Sequence, residues 1–315
     1  MNNDPSQAPY RSARERYKAA FTENFNIVSL AGAFALSAAL LNPIPLLVGL
    51  AVEAAYMLFV PDSKWYQSRM KEKFDGEVQE RLEHLRDQVF PQIHFSVQEH
   101  FLRLQTTRRQ ISAQSKSEEK WFREALRKLD FLLEKNLHFA LKEAEFISYL
   151  GSLVDGAYEE MSHDEKRTLD KIASKTDFEK GRVETDSRYL IMPSEQWNNS
   201  VAEVLISFYE REIKEILDRS ETENVFATKS ILEKRAAILT RRKDFVTRIV
   251  QILNNLRHQM QLMTDTFGLI NDELRARSPE QVLADIDEVV MTSNSLTDAI
   301  DSMTPFDQLV SSQLS

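Results

Sequence analysis

The chain contains no cysteine, which excludes disulfides, thiolate metal sites and cysteine nucleophiles together. This suits a reducing compartment. Glycine occurs only 7 times and proline 9 times in 315 residues. Sandwiches, barrels and doubly wound sheets need many tight turns and use far more of both. The composition therefore predicts an all-α protein built from few, long helices. Basic residues are absent after Arg277, whereas Glu280, Asp285, Asp287, Glu288, Asp298, Asp301 and Asp307 are all acidic, so this tail carries most of the net charge of -9. A general nucleic-acid binder needs a basic face, and nucleic acid is not expected as a partner.

Signatures of catalysis are missing as well. The chain has no glycine-rich phosphate loop, no serine elbow and no histidine pair spaced for zinc around a glutamate. Its six histidines, His84, His94, His100, His138, His163 and His258, are scattered, and His94 and His100 are six apart, which is not one helix face. The acidic stretch from Asp155 to Glu165 lacks the alternating ligands and closing glutamate of a calcium loop. No catalytic residue, cofactor or metal ligand is assigned, and an enzyme is not expected.

What stands out is one long apolar stretch, Phe25 to Val60, in an otherwise polar chain. Its first arm, Phe25 to Leu41, includes Gly32 and carries no charge. The turn Asn42-Pro43-Ile44-Pro45 breaks the helix, and the second arm, Ile44 to Val60, includes Gly49 and a single charge, Glu53. A secretory signal has an apolar core of about 7–15 residues ending at a cleavage site. Here the apolar character continues through the prolines, which predicts a transmembrane or re-entrant helical hairpin. Each arm is about 25 Å long as a helix, against a hydrocarbon core of about 30 Å, so the hairpin just spans or dips deeply. Small residues at helical spacing, Ser29, Ala33 and Ser37 on one arm and Ala51 and Ala55 on the other, allow close approach of the two backbones.

Basic residues flank the hairpin on both sides: Arg11, Arg14 and Arg16 before it, and Lys64, Arg69, Lys71 and Lys73 after it. The positive-inside rule then puts both termini, and everything after the hairpin, in the cytoplasm. Glu53 makes the second arm a poor inserter alone. A mid-membrane acid costs roughly 2.5–3.5 kcal/mol, and each apolar side chain returns only about 0.3–0.6 kcal/mol. Two readings stay open for Glu53: a polar contact or ion site, or a protonated acid hydrogen-bonded within the hairpin.

Periodicity divides the rest. Residues 1–24 are a polar, basic arm and residues 25–60 the hairpin. Residues 61–150 read as long helices packing as an antiparallel pair, the first capped by Asp62 and broken near Val89 by Pro91, the second capped by Ser115 and Glu118 and ending at Gly151. Residues 151–195 read as an irregular connection with one short helix boxed by Ser162 and Glu165. Residues 196–302 read as a helical bundle containing a long helix over 223–277, and residues 303–315 as a frayed tail. The stripe Phe245, Ile249, Ile252, Leu256, Met260, Met263, Phe267, Ile270 and Leu274 covers 29 residues in eight steps. That is about 3.6 per step, which predicts a nearly straight rod rather than a supercoiled zipper. Ser278, Pro279 and Gln281 cap a last helix. The basic run Lys229, Lys234, Arg235, Arg241, Arg242 and Lys243 is expected to meet the acidic last helix, of the same chain or of a neighbouring copy, with anionic lipid as the alternative.

These features point to a membrane-anchored helical scaffold or interaction protein, with the lipid membrane, further copies of the chain and a protein on its helical surface as partners. A hydrophobic hairpin joined to long helices also resembles, in architecture alone, the helical pore-forming toxins, although theirs lies mid-chain and this one follows a short N-terminal arm. That resemblance implies the alternative: a pore-forming or membrane-remodelling protein that inserts its hairpin.

Overall fold

The computed structural model describes residues 21–22, 24–114, 120–177, 195–273 and 278–302. Several sequence features lie outside these residues: Arg11, Arg14 and Arg16, the Ser115–Glu118 box, residues 178–194, Leu274, Arg277 and the tail beyond Ser302. The side chains of Phe25, Lys71 and Trp197 do so too. Among the described residues the chain is helical and has no strand, so the all-α expectation holds. It divides into two compact units between His84 and Leu85.

The N-terminal unit is led by α1 (Asn24–Leu40) and α2 (Ile44–Phe59). They form an antiparallel pair. Pro43 and Pro45 cannot continue α1, because each lacks an N–H and clashes with the preceding turn. Leu41 takes the left-handed conformation, φ 48°, that closes many helices, although glycine is the usual residue there. A Cβ built on Gly49 would lie 2.7 Å from the Cβ of Ala33, so only glycine allows the two arms to come this close. The next helix, α3 (Lys64–Val89), is capped by Ser63 and not by Asp62 as expected: the Ser63 hydroxyl accepts from the Tyr66 N–H at 3.2 Å. The chain leaves Pro61 one residue further along than the sequence suggests, which moves the cap to the serine.

In the C-terminal unit Pro91 acts as expected. Helix α3 stops at Val89, a single 3-10 turn covers Phe90–Gln92, and α4 (Phe95–Gln114) follows, with Phe90 edge-on to Phe101 at 5.8 Å. Helix α5 (Lys120–Ala157) is the centre of the unit. It is packed by α4, by α7 (Glu195–Thr222), by α8 (Phe226–Glu273) and by α9 (Pro279–Asp301), and residues 127–133 are buried on every side. It runs through Gly151, where the sequence predicted its end. Leu150, Val154 and Ala157 stay packed beyond that point, and their burial outweighs the roughly 1 kcal/mol that glycine costs a helix. Helix α6 (His163–Asp177) starts in the expected capping box, the Ser162 N–H donating to Glu165 Oε2 at 2.7 Å and the Glu165 N–H to Ser162 Oγ at 3.3 Å. The last helix, α9, starts in the Ser278–Gln281 box with Pro279 in its first turn.

The long helix α8 is unbroken over 48 residues. From Phe245 to Ile270 its stripe is buried as expected except at Ile252, which is half-buried, while Val246 and Leu253 are fully covered. Neighbours on two sides bury a wider arc than one stripe. Within the chain, and among the described residues, its basic segment does not pair with the acidic last helix: Lys243 pairs with Glu210 at 3.2 Å and Arg235 with Glu212 at 3.9 Å, both on α7. Asp287 of α9 instead pairs with Lys128 of α5 at 2.6 Å. The antiparallel return of α8 along α7 sets this, because it places the basic segment beside acids nearer in sequence.

Candidate functional site

Two places in the molecule depart from ordinary globular packing, one in each unit. In the hairpin the large apolar side chains face outward: Leu41 is 94% exposed, Phe59 76% and Val28 69%. The backbone N–H groups at the tip are bonded within the chain. Pro43 and Pro45 have no N–H, and the other donors from Leu41 to Leu47 are all taken. Leu41 donates to the Ala38 carbonyl, Asn42 to the Ser37 carbonyl and Leu47 to the Pro43 carbonyl. Ile44 donates to Asn42 Oδ1 at 3.0 Å and Leu46 to Ser37 Oγ at 2.7 Å. Ser37 and Ala33 therefore serve the close approach expected of them, with Gly49 rather than Ala51 or Ala55 opposite. A Cβ at Gly32 would meet nothing, and Glu53 is half-buried on α2.

After the hairpin, Lys64, Arg69 and Lys73 are exposed, with Arg69 over the Trp65 ring at 5.5 Å and Lys73 4.0 Å from Glu77. Tyr56, Met57 and Val60 pack on the buried Tyr66 and Met70, so the second arm is joined to α3 through its own side chains. No single helix among the described residues is long and apolar enough to cross a membrane. Ile44–Phe59 and the helix that follows pass together by length and composition, but with a bend of 78°.

The second place was not picked out from the sequence. Between α4, α5 and α8 lies a cavity of about 260 Å³, with exposed Ser96 and Gln261 at its rim and Asn136, Glu143 and Met260 as its buried floor. Glu143 Oε1 accepts from Arg257 Nε at 2.5 Å, the two side chains being 4% and 16% exposed. Burial pushes the Glu143 carboxyl up, and the Arg257 charge and hydrogen bond offset this only in part. His100, bonded to Thr264 Oγ1, is held below its ordinary value by burial and by the Arg103 charge, so it is neutral near pH 7. Asn136 is 3% exposed, and among the described residues its side chain makes a single hydrogen bond, a weak one from Nδ2 to Met263 Sδ at 3.8 Å.

This cluster had a sequence signal. Asn136 and Glu143 are seven apart on α5, so both interrupt the apolar stripe of Leu129, Leu133, Leu137 and Ala140 on one face. Two other polar clusters of the unit are well paired. Arg108 holds Asp130 through two hydrogen bonds of 2.7 Å, and Gln259 of α8 reaches the Val289 carbonyl, Thr292 and Ser293 of α9. Among the described residues no group of three or more His, Cys, Asp or Glu is placed to hold a metal ion. Compared with models of protein families, with curated proteins and with solved structures, the chain finds no match.

Proposed function

We propose that this chain is a membrane-anchored helical scaffold. The hairpin from Phe25 to Val60 inserts into the bilayer, and the C-terminal helices stay in the cytoplasm, where they self-associate or dock a protein partner. The observation that carries this reading is the inverted hairpin, apolar outside and with its tip N–H groups bonded inside. Hydrocarbon offers no water to a bare N–H, so a turn that satisfies its own donors suits the bilayer and gains little in water. Arms of 17 and 16 residues, about 25 Å each, favour a deep re-entrant hairpin or a bare crossing. The basic residues Lys64, Arg69 and Lys73 then lie at the anionic surface.

The test is extraction of membranes from cells expressing the full-length chain. Carbonate should leave it in the pellet, and Leu50→Arg should move it to the supernatant; release of the unaltered chain would sink the anchor. The same hairpin in a pore-forming or membrane-remodelling protein would make purified protein release dye from liposomes, with Gly32→Arg abolishing the leak. Intact liposomes at saturating binding would leave the scaffold reading in place.

A further inference from the structure

We propose that the cavity between α4, α5 and α8 binds a small linear amine, whose ammonium group is received by Glu143 Oε2 and whose second N–H donor is received by the side-chain carbonyl of Asn136. The site lies in the C-terminal unit, and its argument does not depend on the hairpin.

Two acceptors at the cavity are left over. Glu143 uses Oε1 on Arg257, and its second oxygen makes no hydrogen bond among the described residues. Asn136 donates weakly to a sulfur, and its amide oxygen accepts from nothing. Both side chains are more than nine-tenths buried. Buried polar groups in native proteins find hydrogen-bond partners almost without exception, in protein or in water. These two oxygens are not sealed in the protein but open onto one cavity, so the donors they need come from water or from a guest. Structural need does not explain them, because a buried ion pair is often no more stable than apolar side chains of the same volume. A leucine at position 136 would continue the stripe of α5.

Size and spacing narrow the chemistry. A cavity of about 260 Å³ lies below the usual range of roughly 300–1,000 Å³ for drug-sized ligands, so the guest has few heavy atoms. Asn136 and Glu143 are two helical turns apart, about 10 Å along the axis at Cα, which suits a molecule with a donor at each end and methylenes between. Val97 and Met260 supply the apolar wall for those methylenes. Arg257 balances one negative charge, and the neutral His100 adds no positive one. Raised by its burial, the Glu143 carboxylate gains from any cation that shares it.

The experiment is calorimetric titration of the full-length chain in detergent with 1,5-diaminopentane and 1,4-diaminobutane, and with neutral amino acids as the other common source of an ammonium group. Acetate is the control. Saturable binding of a diamine, with a dissociation constant between about 10 µM and 1 mM, is the expected result. Binding of amino acids but not diamines would overturn the two-donor assignment. Ser96→Trp, at the exposed rim, should weaken binding at least tenfold and leave the melting temperature unchanged. Asn136→Leu should abolish binding while raising the melting temperature, an outcome that a purely structural asparagine forbids. No saturable heat from any amine, or equal binding in both variants, would overturn the proposal.

Discussion

The hairpin and the helical unit solve opposite problems with the same backbone. In the hairpin the apolar side chains face out and the turn donors are bonded within the chain. In the C-terminal unit Leu129, Leu132, Leu137, Leu205, Ile249 and Leu253 are fully buried, and most of the charge lies outside. Side-chain burial drives the second arrangement in water; in lipid that driving force disappears, and backbone satisfaction and close approach decide instead. The contrast teaches where each region is vulnerable. A charge should ruin the hairpin, whereas an unpaired charge already inside should ruin the bundle.

The largest expected effect lies in the bundle. Arg257→Ala leaves the Glu143 carboxylate buried without its partner and should cost about 3–5 kcal/mol, read from denaturant unfolding. The Glu143 carboxyl already titrates above its ordinary range because it is buried, and losing Arg257 raises it further. A raised acid binds its proton more tightly when folded, so the cost should grow as pH rises through its titration and fade below the ordinary carboxylate range. Glu143→Gln in the same background should recover much of the loss.

Second in size is the hairpin's response to charge. Leu50→Arg adds roughly 2.5–3.5 kcal/mol to an arm that Glu53 already weakens, which should abolish retention in carbonate-washed membranes without changing the melting of the helical unit. Gly49→Val is a subtler change of shape. Its Cβ would meet the Ala33 Cβ at 2.7 Å, so the arms must separate, at about 1–3 kcal/mol. Retention should fall, and a second substitution, Ala33→Gly, should restore it.

The smallest effect is at a surface common to most soluble helices. Ser162→Ala removes the α6 cap and should cost about 1 kcal/mol. Burial pushes the Glu165 carboxyl up, but the hydrogen bonds with Ser162 and Arg211 outweigh it and hold the carboxyl below its ordinary value. A depressed acid stabilises the fold above the ordinary carboxylate range and loses that contribution as pH falls, so the difference between the two proteins should shrink on acidification.

Legibility followed distance along the chain. Ser162 with Glu165, Ser278 with Gln281 and the break at Pro91 depend on residues within a few positions, and each is where the pattern puts it. Ser63 displaced Asp62 as a cap because two neighbouring residues could both serve, and only the path of the chain chooses. Gly151 misled because its helix penalty is local, whereas the packing that overrides it is not. The basic segment of α8 found acids on α7 rather than on α9, since charge alone does not say which helices are neighbours. The cavity was least readable of all: Glu143 and Arg257 are 114 residues apart, and His100 and Thr264 are 164 apart.

Composition and periodicity alone settled that the chain is helical, where its apolar stretch lies and where most helices begin, because those properties depend on turn residues, hydropathy and caps within a few residues. Packing settled the rest. The close passage of the two arms at Gly49 and Ala33, the ion pair that joins α5 to α8, and the two acceptor oxygens that open onto one cavity exist only once distant segments are brought together.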